Sequence, residues 1–273
     1  MPELPEVEIV CRNLKHIFDK NIKINVWKLN RKQLRKPIPE KKLQFLVGIK
    51  IVSVVRRAKY ILIFFENDFV LLSHLGMTGV WRFEQNGSWE NLKHDHLVME
   101  LSDGSRLVYH DPRRFGFVEV LNSKNIGRRF KSLGVEPFAS KIDLVSTLLK
   151  LKKLRSPIKP ALMNQNYIVG VGNIYASEIL YLSKVSPFRA CNKISDVQFY
   201  EIFKNTKKVL SKAISKGGST IESYRSSFGN EGEFQNEFLV YGKAGEECPI
   251  CNRKILHEKQ VGRSTYWCKE CQY

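Results

Sequence analysis

The chain opens Met1-Pro2-Glu3-Leu4-Pro5-Glu6-Val7-Glu8, and three of these residues can do chemistry together. N-terminal processing removes Met1 when a small residue such as Pro follows, so the mature chain is expected to begin with the secondary amine of Pro2. An α-amino group titrates at about 7.7 to 8.0, which leaves a neutral, reactive fraction near neutral pH, and amines attack carbonyl carbons to form Schiff bases. From a secondary amine the adduct is a permanently charged iminium, an electron sink suited to removing a proton beside a sugar aldehyde carbon. Glu3 and Glu6 lie close enough in sequence to shuttle protons for that amine. The same Pro also suits an ordinary helix start, where its missing N–H goes unused. The opening therefore takes its meaning from the rest of the chain.

A second constellation closes the sequence. Cys248-x-x-Cys251 and Cys268-x-x-Cys271 are separated by sixteen residues, the spacing of a four-thiolate structural zinc site. So short a segment cannot build a core unaided, and metal ligation supplies folding free energy of order 10 to 16 kcal/mol in zinc-finger peptides. A redox C-x-x-C would need only one pair. One structural zinc ion is expected, on a hairpin whose tip is Val261-Gly262-Arg263-Ser264, with Arg263 either facing phosphate or hydrated.

The elements that must position these groups can be read from charge and periodicity. Over 273 residues there are 45 Lys and Arg against 27 Asp and Glu, a net charge of +18, so a polyanion is the expected partner. No apolar run has the length of a membrane span and no basic-then-apolar leader is present, which predicts a cytoplasmic protein without membrane contact. Six cysteines in such a chain argue against disulfides; Cys11 and Cys191 are expected as buried thiols. There is no internal repeat.

Val7, Val10, Cys11, Leu14, Ile17 and Phe18 share one helix face. Ile22, Ile24 and Val26 alternate, and short apolar runs follow at 49–55, 60–65, 69–75, 96–101 and 106–109, punctuated by Asn67-Asp68, Gly79, Asn86-Gly87 and Asp103-Gly104 as in antiparallel hairpins. Residues 1–123 thus read as a β-sandwich with a leading helix. Helical periodicity replaces alternation at 142–154, 173–182 and 197–214, giving a helical domain over 124–236, and 237–273 is the zinc-binding piece: an α+β, multidomain chain. The helical part is entered through Lys150, Lys152, Lys153, Arg155 and Lys159, five bases in ten residues without an acid. Gly170-Val171-Gly172-Asn173 then opens a helix, with Asn173 as expected N-cap and the glycines letting backbone N–H groups approach a phosphate. The polar, Gly/Ser-rich 217–236 reads as a loop that closes over a ligand.

These motifs, with Arg57-Ala58-Lys59-Tyr60, Ser73-His74-Leu75-Gly76-Met77-Thr78-Gly79, Lys93-His94-Asp95-His96 and Asp111-Pro112-Arg113-Arg114-Phe115-Gly116, occur in the order found in bacterial formamidopyrimidine-DNA glycosylases, which the chain resembles throughout its length. The sibling branch that removes oxidised pyrimidines resembles it less: that branch usually has Gly where Leu4 stands and lacks the Gly-Met-Thr-Gly and Asp-Pro-Arg-Arg-Phe runs. Ile9 and Cys11 depart from the family's usual Thr and basic residue, on the helix beyond the catalytic residues.

The resemblance implies a β-sandwich, a helix-two-turn-helix domain and a β-hairpin zinc finger, acting as a monomer on damaged double-stranded DNA with no organic cofactor. It implies excision of oxidised purines, 8-oxoguanine and formamidopyrimidines, through a Schiff base on Pro2, followed by strand cleavage by β,δ-elimination. Glu3 would protonate the departing base or the sugar oxygen, and Lys59 would serve the β-elimination and hold phosphate. Arg263 corresponds to the residue of the final δ-elimination, although phosphate clamping suits a guanidinium better than proton donation. An extruded nucleotide leaves a gap, which Met77 and Phe115 would fill as apolar wedges while Arg113 reads the orphaned base. His74, His94, Arg155, Lys159 and Asn173 complete the implied phosphate-binding set. Two other readings share these features: a non-catalytic zinc-ribbon DNA-binding protein, which would not need a Pro2 amine, and an RNA-binding module.

Overall fold

The computed structural model describes residues 2–19, 21–87, 89–139, 141–220 and 227–273, for 141–143 the backbone alone. The chain divides into two compact units, one running to Lys131 and joined by Lys216–Glu233, the other comprising Ser132–Ser215 and Phe234–Tyr273.

In the first unit α1 (Leu4–Phe18) starts at Glu3, whose backbone N–H donates to Glu6 Oε2 at 2.8 Å. This satisfies one of the N–H groups left over at a helix start. The anticipated apolar face, Val7 to Phe18, is buried. It packs with two four-stranded antiparallel sheets made from β1 (Ile24–Leu29), β2 (Ile51–Arg57), β3 (Tyr60–Phe65), β4 (Phe69–His74), β5 (Val80–Glu84), β6 (Asp95–Leu101), β7 (Arg106–His110) and β8 (Phe117–Asn122). One sheet runs β1-β6-β7-β5 and the other β2-β3-β4-β8. Inward residues of both, among them Ile61, Leu71, Trp81, Leu97, Met99 and Val118, share a single core with α1. Short helices α2 (Glu40–Leu43) and α3 (Ile126–Arg129) lie between and after the strands.

Three details depart from the sequence expectation. Val26, expected inward by alternation, is 41 % exposed. A register shift between Ile24 and Val26 against β6 changes the phase, so Trp27 takes the inward place, as a bulge does. Strands β5 and β8 were not anticipated; β5 carries Arg82 and Glu84 within five residues, which hides its alternation.

In the second unit α4 (Lys141–Leu151), α6 (Asn173–Leu182) and α7 (Asp196–Ser215) match the three periodic stretches, and a short α5 (Ile158–Met163) stands between the first two. The unit ends in the antiparallel hairpin β9 (Leu256–Gln260) and β10 (Arg263–Trp267). Its two-residue tip has Val261 at φ 50° and Gly262 at φ 72°; a β-branched residue there is strained, and the tip residue Val261 is 79 % exposed. Among the described residues no helix is long and apolar enough to cross a membrane.

Candidate active site and metal centre

The first unit gathers the residues of the N-terminal constellation. Pro2 is buried, and Glu3 and Glu6 are 1 % and 2 % exposed. Glu6 Oε2 takes the Glu3 N–H, while Oε1 accepts from the backbone N–H of Ser219 at 2.8 Å and its hydroxyl at 3.0 Å. The carboxylate expected to shuttle protons is thus committed to donors that fix the start of α1 against the 217–220 segment. Gly218 permits this approach: at φ +82°, a Cβ there would stand 3.1 Å from Glu6 Oε1. The far end of the loop is also tied, by Gly232 N–H to Thr220 Oγ1 and Glu233 N–H to the Lys216 carbonyl. Residues 221–226, within the segment expected to close over a ligand, lie outside the described residues.

Lys59 sits in the two-residue turn between β2 and β3, closed by the Arg57–Tyr60 pair. Ala58 there has φ 54°, a left-handed conformation costing roughly 1–2 kcal/mol for a non-glycine residue. Arg56 braces the turn, donating to the Ala58 carbonyl at 3.0 Å and to Glu8 of α1 at 3.0 Å. Lys59 is 7 % exposed. Its charge is felt by His74, whose pKa is pushed down to about 4, first by burial and then by Lys59, Arg35 and Arg129. His74 Nδ1 accepts from the Gly76 N–H at 3.0 Å, so the neutral ring carries its proton on Nε2 and offers it as a donor.

Met77 is half-buried in the loop after β4, and Arg113, Arg114 and Phe115 are exposed in the turn after β7. Asp111, fully buried, locks these two loops together. It accepts from Thr78 Oγ1 at 2.5 Å and Gly116 N–H at 2.8 Å, while Thr78 Oγ1 takes the Arg113 N–H at 3.1 Å. Gly76 must lack a side chain, since a Cβ would lie 2.4 Å from the 115–116 backbone. On the finished turn the Arg113 guanidinium rests 4.9 Å from the centre of the Phe115 ring, a cation–π contact that holds both outward. His94, half-buried, accepts the Asp111 N–H on its carbonyl at 3.0 Å.

The second unit holds the remaining candidates. Lys159, expected to contact phosphate, is 1 % exposed. Its ammonium donates to Asn173 Oδ1 at 2.8 Å, the Ser264 carbonyl at 2.9 Å and Thr265 Oγ1 at 2.8 Å. An ammonium has three donors, and these bonds join α5, the start of α6 and β10. The N-cap of α6 is Gly172, not Asn173, which is the first helical residue; its side-chain oxygen is turned to Lys159 instead. Arg155 and Arg263 are exposed, Arg263 at the hairpin tip. Glu178, absent from the sequence-derived set, is 2 % exposed. It takes the backbone N–H groups of Leu239, Val240 and Tyr241 at 2.8–3.0 Å. Burial raises its pKa against the pull of those donors. A Glu on an apolar helix face was the available signal.

Cys248, Cys251, Cys268 and Cys271 bring their sulfur atoms within 4.8 Å of one another. Cys248–Cys271 and Cys251–Cys268 are 3.8 and 3.4 Å apart, against about 3.8 Å for the edge of a tetrahedron with 2.3 Å zinc–sulfur bonds. The set fits a metal ion with four thiolates, and the Tyr181 hydroxyl at 3.1 Å from Cys248 Sγ adds an outer-shell partner.

Residues 1–118 match the formamidopyrimidine-DNA glycosylase N-terminal domain and residues 133–225 the H2TH domain of the same glycosylase. The formamidopyrimidine-DNA glycosylase of the Wolbachia of Brugia malayi is 42 % identical over 276 residues, with 100 % of both chains covered. The chain belongs to the formamidopyrimidine-DNA glycosylase family. The glycosylase of Bdellovibrio bacteriovorus is 40 % identical, again over 100 % of both chains. Among solved structures, Lactococcus lactis Fpg in complex with abasic-site DNA is 36 % identical, with a TM-score of 0.92 over 99 % of each chain. A variant of that protein bound to Fapy-dG-containing DNA gives 35 % and 0.92 over the same shares. The chain therefore has the Fpg fold: N-terminal sheets with a leading helix, a helical H2TH domain and a C-terminal hairpin beside a cysteine cluster.

Proposed function

We propose that this DNA glycosylase is bifunctional: it excises oxidised purines from duplex DNA and then cuts the strand as an abasic-site lyase. The observation that carries the reading is the N-terminal Pro2-Glu3 pair, buried at the start of α1 and fixed through Glu6 in a chain of this family. With Met1 removed, the Pro2 amine attacks C1′ of the damaged nucleotide and the base leaves, protonated by Glu3 or by water it activates. The resulting iminium acidifies the C2′ proton, whose removal expels the 3′ phosphate; a second elimination expels the 5′ phosphate. Nucleophilic catalysis of this kind splits one difficult step into easier ones.

Each other residue has a place in that sequence. Lys59 serves the first elimination, and its charge helps keep a nearby amine neutral. His74, neutral and with Nε2–H available, donates to phosphate without changing charge. Met77 and Phe115 fill the vacated stack, and Arg113 faces the acceptor edge of the partner cytosine. His94, Arg155, Asn173 and Arg263 hold phosphates. Lys159 acts through Asn173 and β10, orienting both. The four cysteines hold a structural zinc, which gives the hairpin its fold; with every ligand position taken by thiolate no open site remains for water. The protein works as a monomer without an organic cofactor.

Incubation of the purified protein with a duplex bearing one 8-oxoguanine opposite cytosine tests the reading. The expected products are the free base and a one-nucleotide gap with phosphate at both ends. An intact strand, or an abasic strand left uncut, would contradict it.

A further inference from the structure

Helix α4 of the second unit buries the smaller part of its apolar face. Among its described side chains the buried ones are Thr147 and Leu151, whereas Val145 and Leu149 are 57 % and 58 % exposed and Leu144 and Leu148 are half-buried. A helix of a folded domain turns its apolar stripe inward; here four aliphatic side chains, at i, i+1, i+4 and i+5, stay at the surface while a threonine is buried. The first turns of α7 do likewise, with Val197 and Tyr200 exposed. Between the two helices lies a groove of about 390 Å³, walled by Leu144, Val145 and Leu148 of α4 and by Tyr200 and Phe203 of α7. Apolar exposure gathered on one concave face marks an interaction site, unlike the single apolar residues scattered over any surface.

The α7 side of the groove is basic. Lys204 and Lys207 line it, and among the described residues no carboxylate does. Lys207 donates to the Ala139 carbonyl at 3.1 Å, a neutral acceptor that leaves its charge uncompensated. Lys204 meets Glu201 at 3.2 Å, in a pair open to water and so readily exchanged. Lys208, one turn beyond Lys204 on the same side of α7, is exposed and forms no ion pair among the described residues. A second copy of this chain would set its own lysines against these, so the charge opposes self-association. Nucleic acid would call for exposed rings on which bases stack, yet of the two aromatic walls Phe203 is buried. An aliphatic groove between two helices, with ammonium groups along one side, suits an amphipathic helix that carries carboxylates beside its apolar stripe. From Tyr200 to Lys207 the wall runs about 10 Å, close to two helical turns, the reach of anchors spaced i, i+4 and i+7.

We propose that the groove between α4 and α7 docks an acidic amphipathic helix of a partner protein. None of the residues lining it is among those assigned to DNA or to the chemistry, so a partner held there leaves them free. The test uses the full chain and three fluorescein-labelled peptides of about four helical turns: one with leucines at i, i+4 and i+7 flanked by glutamates, one with lysine for every glutamate, and one with serine for every leucine. The acidic leucine peptide should bind about tenfold or more tighter than either of the others. Val145→Ser combined with Tyr200→Ser should weaken it by about tenfold or more, with the thermal midpoint and the affinity for duplex DNA unchanged. Lys204→Glu combined with Lys208→Glu should turn the preference towards the lysine peptide. Equal binding of the acidic and basic peptides, or an affinity indifferent to both double variants, overturns the proposal. So does a dimer in sedimentation that the Val145→Ser, Tyr200→Ser variant dissociates, which gives the groove to a second copy. Binding to phosphatidylglycerol vesicles that this variant loses, with no binding of the acidic peptide, gives it to a lipid surface and overturns the proposal equally.

Discussion

The turn at 111–116 and the seat of the hairpin at Lys159 use basic residues in opposite ways. At the turn, buried Asp111 holds the backbone, and Arg113 and Arg114 are left facing outward with no carboxylate bonded to them among the described residues. At the seat, the Lys159 ammonium is buried and gives its three protons to Asn173, Ser264 and Thr265. Net charge and clustering mark both stretches as basic, yet the guanidinium groups of Arg113 and Arg114 face outward while the ammonium of Lys159 is spent on its own fold. Where a cation's donors end, more than its sign, separates a binding residue from a structural one.

The contrast can be broken by substitution, and the largest effect is expected at the four-cysteine cluster beside the seated hairpin. Cys268→Ser should abolish stoichiometric zinc and unfold the hairpin, since such centres contribute of order 10 kcal/mol to small folds. Metal analysis with circular dichroism checks it, and strong chelation that spares both fold and incision would refute it. Lys159→Met comes next. Removing the ammonium leaves buried neutral acceptors unpaired, at about 1–3 kcal/mol for such a group, so the thermal midpoint should fall by several degrees. A fall in DNA affinity without any loss of stability would instead make Lys159 a direct phosphate ligand.

Arg113→Ala should show the reverse pattern. Stability should change by no more than about 0.5 kcal/mol, as for exposed sites, while the choice of opposite base is lost. A guanidinium has only donors, which match the O2 and N3 acceptors of an orphaned cytosine and meet the amino group of an adenine. The mismatch is worth about 1–3 kcal/mol, so the unmodified protein should excise 8-oxoguanine opposite cytosine roughly ten- to a hundredfold faster than opposite adenine, and the variant should flatten that ratio. Single-turnover rates on the two duplexes decide it.

The smallest expected effect is the pH response of His74. Its folded pKa, about 4, lies below the unfolded value of about 6.5, so between these values the unfolded state binds more protons. Stability should therefore decline as pH falls from about 6.5 towards 4, a decline that His74→Asn should reduce. The neutral Nε2–H donor should persist across pH 5 to 8, which the imidazole nitrogen shifts in an NMR titration would report.

Much of this was legible in the sequence because periodicity reports burial directly and the paired C-x-x-C spacing reports the clustering of the cysteines. The apolar face of α1, the strand at Tyr60–Phe65, the helix at Asn173–Leu182 and the four cysteines needed no more. Val26 misled because a bulge is a pairing property, invisible to alternation along one strand. The burial of Lys159 was not legible because its three acceptors lie 14 to 106 residues away in sequence, a distance no local pattern spans. Glu6 shows the same limit: a carboxylate gathering backbone N–H groups from another segment is indistinguishable, in sequence, from one on a solvated helix face.

The central claim is that the mature N-terminal amine is the nucleophile. Borohydride reduction of the protein on an abasic duplex, followed by proteolysis and mass analysis of the cross-linked peptide, tests it most directly. The account predicts a near-stoichiometric adduct on the peptide beginning at Pro2, lost when Met1 is retained, with DNA binding preserved. An adduct on Lys59 or any other lysine, or full trapping with Met1 in place, would contradict it.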